Sequence, residues 1–315
     1  MKNTILTFCC ILLQQSLFAE NKDWLIDGSP YKTEVNLSSD KKQIELTNGL
    51  LRRSFSLTPN GATIALDNLM TGQNELRAVR PEAVLVINGK EYPVGGLEGQ
   101  PVHNFLTKDF LSGMQLCDSA FVLAGYTVSE TKERFPWKPN EAWISNRYPW
   151  PAPGKRITFT YRAPRKIVDE CKGLTIRIVY ELYDGAPILS KWIEIENNGQ
   201  KAVTLDSFKS EVLALVETAP KVHYGEPHEV RMMAQKTGYY TEDYRKRPVQ
   251  TDAPRDYIDR FTQLFVVTDY AMGGDMEAMK DNPAVRWVFD HPEYEFTGIR
   301  YYGQYKPARL EVTPL

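Results

Sequence analysis

Between Leu174 and Asn198 the sequence LTIRIVYELYDGAPILSKWIEIENN alternates apolar and polar positions in a way that only extended chain can use. Leu174, Ile176, Ile178, Tyr180 and Leu182 fall on one face of a first strand, with Thr175, Arg177 and Glu181 on the other. After the turn, Leu189, Ile193 and Ile195 share a face that Lys191 interrupts, while Ser190, Glu194 and Glu196 point away around a lone Trp192. Asp184-Gly185 supplies the turn, and Pro187 begins the return strand where a missing N–H is tolerated. The pattern predicts a half-buried hairpin.

The same period recurs along most of the chain. It predicts strands at 43–47, 50–57, 62–66, 83–87, 120–128 and 156–162, and after the hairpin at 202–207, 211–216, 261–268, 285–289, 299–302 and 309–313. Asn48-Gly49, Asn60-Gly61, Asn88-Gly89, Asp184-Gly185 and Asn198-Gly199 are the dipeptides that accept positive φ in tight connections. Helical periodicity is confined to one turn at 275–280. Many strands and almost no helix predict an all-β sandwich of antiparallel sheets rather than a βαβ fold. Two regions interrupt the pattern, the Pro- and Trp-rich stretch 135–153 and the segment 219–257.

The first residues change the picture by predicting export. Lys2 gives a short basic start, Ile5 to Leu13 an apolar run, and Leu17-Phe18-Ala19 a cleavage site before Glu20, so 1–19 reads as a signal peptide and 20–315 as the mature domain, periplasmic or extracellular. The run is shorter than the roughly 20 residues that span a bilayer. Cys9 and Cys10 lie inside it behind the bulky Phe8, which argues against lipoprotein processing. Removing them leaves Cys117 and Cys171, which an exported setting allows either to bond or to remain free thiols.

Charge narrows the partners. Lys plus Arg is 38 and Asp plus Glu is 40, a balance that offers no field for nucleic acid or an anionic membrane. A neutral ligand is the expected partner.

The hairpin with its Tyr180-Glu181-Leu182-Tyr183-Asp184-Gly185 core, the opening segment from Leu46 to Gly96, LTNGLLRRSFSLTPNGATIALDNLMTGQNELRAVRPEAVLVINGKEYPVGG, and Phe135-Pro136-Trp137 together resemble one known domain. It is the amino-terminal β-supersandwich of α-galactosidase-like (family 36) glycoside hydrolases, a galactose-mutarotase-like fold, and the similarity spans most of 40–315. The resemblance implies that chemistry resides elsewhere, in a (β/α)8 barrel whose two aspartates act as nucleophile and acid/base, the nucleophile following a Lys and an aromatic residue. This sequence has no Lys-aromatic-Asp triplet and no strand–helix alternation. The implied role is that of a non-catalytic domain, or a truncated form, which supports a barrel and contacts a neutral glycan or galactoside. No catalytic residue, cofactor or metal is assigned. A self-sufficient aldose epimerase or polysaccharide lyase on the same fold, with a His/Glu or Tyr/Arg set, is the alternative, and a stand-alone glycan-binding module is a third reading.

Trp137, Trp143, Tyr148 and Trp150 in FPWKPNEAWISNRYPWPAP are the candidate substrate-binding residues. Sugar C–H faces stack on aromatic rings, and a proline-stiffened loop loses less entropy in presenting them. The competing reading folds these rings back as a lid over the sandwich edge. His223, Glu226, His228 and Glu229 match no zinc signature, and Pro227 breaks any helix through them. Any His/carboxylate pair for epimerase chemistry must come from His103, His223, His228 and His291. Arg52 and Arg53 are neighbours on a strand and therefore face opposite sides, one inward toward a carboxylate and one to solvent.

Overall fold

Strands whose alternate residues are apolar must turn those residues toward a shared interior, and this organises the chain into stacked antiparallel sheets. The computed structural model describes residues 23–100, 106–138, 140, 142, 149–163, 171–215, 236–237, 240–241, 285–289 and 308–313. The first sheet is a meander of β1 (Glu34–Leu37), β2 (Gln43–Thr47), β3 (Leu51–Ser56), β4 (Ala62–Asn68) and β5 (Gln73–Asn74), in that order. There follow β6 (Leu76–Ala78), β7 (Ala83–Ile87), β8 (Lys90–Val94), the helix α1 (Lys108–Gly113), β9 (Val122–Glu130), β10 (Gly154–Arg162), β11 (Leu174–Tyr183), β12 (Leu189–Asn197), β13 (Leu205–Lys209) and β14 (Glu211–Leu215). Short strands β15 (Lys236–Thr237), β16 (Tyr240–Thr241), β17 (Val285–Phe289) and β18 (Ala308–Val312) complete the described elements.

A second sheet runs β12-β11-β10-β9, a third β13-β7-β8 and a fourth β17-β18-β14-β6, all with antiparallel ladders, while β15 pairs with β16. Ile44, Leu46 and Phe55 of the first sheet, Ile157, Phe159, Tyr161 and the β11 face of Leu174, Ile176, Ile178, Tyr180 and Leu182 of the second, and Leu85, Ile87 and Tyr92 of the third meet in one core. Ala62, Ile64 and Leu66 of β4 lie instead in two smaller clusters, so the first sheet is covered on both faces. Inside the main core Phe55 sits between Phe159 and Tyr180, with ring centroids 4.8 and 4.9 Å away in tilted geometry.

The hairpin pairs Leu174 with Asn197 through Leu182 with Leu189 without a break. It is more deeply buried than its alternation predicts. Thr175, Val179 and Glu181, on the face opposite the core, are buried as well, and those positions pack under neighbouring segments rather than facing water.

Of the five Xaa-Gly turns, Gly49, Gly89 and Gly185 take positive φ, at 82°, 76° and 76°. Gly61 does not, and its small size serves close approach: an added Cβ would meet the Tyr161 ring, with Cζ at 3.0 Å. The strand expected at 202–207 begins three residues later and ends two residues later, as β13, and its pairing with β7 is displaced between Leu205 and Ser207. β1, β6, β8 and α1 carry little alternation of their own; Pro93 interrupts β8, and α1 is a single helical stretch whose start is capped by the Thr107 side chain accepting from the Phe110 N–H. The expected signal peptide, the strands at 261–268 and 299–302 and the helical turn at 275–280 lie outside the described residues.

Candidate functional site

β9 and β10 pair from Val122–Arg162 to Glu130–Lys155, so the aromatic stretch that joins them leaves from one end of the second sheet. Its two legs are pinned together. The Thr131 hydroxyl donates to the Ala152 carbonyl at 2.6 Å, and the Thr131 N–H donates to the Gly154 carbonyl at 3.3 Å. Above this pin the Trp150 indole N–H reaches the Glu133 carboxylate at 3.2 Å and the Phe135 carbonyl at 3.3 Å. Phe135 and Trp137 both pack against Trp150, each with its ring centroid 5.3 Å away, at interplanar angles of 41° and 61°.

The structure therefore brings Trp137 and Trp150 together and adds Phe135, which was not among the four candidate residues. Trp143 and Tyr148 lie outside the described residues. The cluster is not closed over by the described sheet: Phe135 is 47 % exposed and Trp137 37 %. Among the described residues this is an open aromatic surface whose central indole is fixed by two hydrogen bonds.

A second aromatic–cation arrangement flanks it. Trp192, isolated among polar neighbours in the sequence, has the Arg134 and Arg156 guanidinium carbons 4.7 and 5.1 Å from its ring centroid. Arg156 donates from Nε to Glu181 at 2.7 Å and from its terminal nitrogen to the Lys132 carbonyl at 3.2 Å. Tyr183 donates to the other Glu181 oxygen at 3.0 Å and stands 3.0 Å from the Ser190 hydroxyl; burial, with the Glu181 charge, raises its pKa above the ordinary phenol value. Trp192 directs its own N–H to Glu194 at 3.1 Å.

The most concentrated set of charges lies in the interior. Arg53 of β3 makes a forked contact to Glu211 of β14 at 2.7 and 3.2 Å and donates from Nε to Thr63 of β4 at 2.9 Å. Lys191 of β12 reaches the same carboxylate at 2.7 Å and the Glu82 carbonyl at 2.5 Å. Glu82, immediately before β7, accepts from the Tyr180 hydroxyl and the Thr63 N–H, and lies 3.6 Å from Arg53. Arg53 also covers the Tyr180 ring, 4.6 Å from its centroid.

This node joins strands of the first, second and fourth sheets and, through Glu82, the residue that leads into β7 of the third. Arg52, on the opposite face of β3, takes the outer carboxylate Asp67 at 2.8 Å, as the alternation of a strand requires. Burial works against the Glu211 charge, but Arg53 and Lys191 outweigh it and hold its carboxyl down to about 2. Burial likewise opposes the Arg53 charge, and Glu211, Tyr180 and Glu82 nevertheless raise its pKa well above the usual value. Burial raises the pKa of Tyr180 and Tyr161.

The node contains a tyrosine and an arginine, yet Tyr180 is 0 % and Arg53 2 % exposed, and the Tyr180 hydroxyl is committed to Glu82. Its geometry is that of a satisfied internal ion network. Lys191, the residue that interrupts the apolar face of the hairpin, was the sequence signal for it; Glu82 and Glu211 gave none, because each sits at the edge of an apolar run.

All four histidines, and with them the His223, Glu226, His228 and Glu229 group, lie outside the described residues. Among the described residues no cluster of three or more His, Cys, Asp or Glu side chains is arranged to hold a metal, and no helix is long and apolar enough to cross a membrane. Cys117 and Cys171 are not joined in a disulfide; Cys171 is buried, and Cys117 stands 3.1 Å from the Ser119 hydroxyl. Comparison of the chain with protein families, curated proteins and solved structures gave no significant match.

Proposed function

We propose that this chain is an exported, carbohydrate-associated β-sandwich, the non-catalytic amino-terminal supersandwich of an α-galactosidase-like glycoside hydrolase, which supports a barrel and contacts glycan through Phe135, Trp137 and Trp150. The observation that carries the glycan contact is the open cluster of three rings, with the central indole oriented by Glu133 and the Phe135 carbonyl. Ring faces held in place before a ligand arrives lose little entropy on binding, and their apolar area is withdrawn from water by a sugar face. The support role rests on the resemblance of the opening meander and the hairpin, together with the absence of a Lys-aromatic-Asp triplet from the sequence.

The test is glycan binding by the purified chain. Galactans and galactosides are expected to bind, and Trp137→Ala to weaken the affinity about tenfold, the equivalent of ~1.4 kcal/mol. Equal affinity in Trp137→Ala and the parent removes the aromatic contact. For the support role, the reading frame that follows Leu315 is expected to encode a barrel with the missing triplet; a different fold there removes it.

A further inference from the structure

The charges around the aromatic cluster depart from the balance of the whole chain. Each described acid near it is already engaged: Glu130 with Lys155, Glu133 with the Trp150 indole, Glu181 with Arg156 and Tyr183, and Glu194 with the Trp192 indole. Three of the cations are not. Lys132, Arg134 and Lys138, all exposed and interleaved with Phe135 and Trp137, make no ion pair among the described residues. Arg134 is held by its contact with the Trp192 ring, and none of its N–H groups makes a hydrogen bond among the described residues. A guanidinium fixed on a ring while its donors remain uncommitted is prepared for a planar or tetrahedral oxyanion.

We propose that the aromatic cluster takes a glycan that carries an anionic group, carboxylate or sulfate, with Arg134 meeting the anion and Lys132 and Lys138 adding to the local field. This rests on the glycan reading above and replaces the neutral partner that the overall net charge of −2 suggests with an acidic one. Stacking on Phe135, Trp137 and Trp150 holds the sugar ring, and the cations select its substituent. Exposed ion pairs contribute little each, so the preference is modest and sensitive to salt.

The experiment compares three polymers on the full chain, a neutral galactan, polygalacturonate and a sulfated galactan, each at low and high salt. At low salt at least one acidic polymer is expected to bind about tenfold more tightly than the neutral one, with the gap closing as salt rises. Tighter binding of polygalacturonate assigns the site to carboxylate, and tighter binding of the sulfated polymer to sulfate. Arg134→Gln narrows the gap and Arg134→Lys restores part of it; Lys132→Gln with Lys138→Gln narrows it without touching the Trp192 contact, and thermal melting verifies that each variant is folded. Equal binding of neutral and acidic polymers, with Trp137→Ala still weakening both, overturns the acidic preference and leaves the glycan contact standing. Failure of all three polymers to bind overturns both.

Discussion

The interior node and the surface cluster use the same chemistry to opposite ends. In each, a guanidinium lies over an aromatic ring, Arg53 at 4.6 Å from the Tyr180 centroid and Arg134 at 4.7 Å from that of Trp192. Inside, each of the three guanidinium nitrogens of Arg53 donates to protein, to Glu211 and Thr63 with Glu82 close by, and the ring hydroxyl is taken by Glu82. Outside, Arg134 keeps its donors free among the described residues, and the rings beside it face solvent. Satisfied groups stabilise one arrangement of sheets, whereas uncommitted ones are available to a ligand.

Removing a partner from the node should produce the largest effect. Arg53→Met leaves Glu82 and Glu211 buried beside Lys191 alone, and a loss on the order of 3–5 kcal/mol is expected in denaturant unfolding. A loss below ~1 kcal/mol would place the node among groups that solvent can reach.

Next comes acid. Glu211 is held near 2 in the folded chain against an ordinary 4.5, so its contribution is present above the unfolded value and is lost as pH falls from about 4.5 toward 2. The difference corresponds to about 3 kcal/mol at neutral pH. Glu211→Gln should flatten that part of the stability–pH curve, at the cost of a lower plateau; a parallel curve would mean other carboxylates carry the acid transition.

At the surface the ordering reverses, with binding changed and stability nearly kept. Trp137→Ala is expected to leave the melting temperature within a few degrees while weakening glycan affinity about tenfold. The smallest effect belongs to the exposed cross-strand pair Arg177–Glu196, at 2.6 Å on the outer edge of the hairpin. Arg177→Ala should leave both the unfolding midpoint and glycan affinity at parental values, because water screens that pair.

The difference between the regions also explains what was legible in the sequence. Period-2 alternation located β2, β7 and β17 to the residue and the hairpin within one residue; β2, β7 and the first hairpin strand turn Ile44 and Leu46, Ala83, Leu85 and Ile87, and Leu174 to Leu182 into the core. It missed β1 and β6, which are short and hydrogen-bonded mainly by virtue of their neighbours, and displaced β13, whose first residues stand exposed at the edge of its sheet. The aromatic stretch was visible from composition, and Phe135 escaped because its role depends on packing against Trp150 rather than on spacing. The node was visible only as an anomaly, Lys191 on an apolar face and one arginine of a pair turned inward, since its carboxylates come from 29 residues beyond Arg53 and from 158 residues beyond it, at Glu82 and at Glu211. Contacts of that span are products of topology and leave no local pattern.

Calorimetric titration of the parent and Trp137→Ala with the same glycan, alongside their melting curves, tests the division between recognition and scaffold most directly. Measurable binding by the parent, a loss of about tenfold in Trp137→Ala, and closely similar melting are the outcome expected of that division. Equal affinity in the two proteins, or a loss of affinity that follows a collapse in melting temperature, would contradict it and return the aromatic cluster to the structural role of a lid.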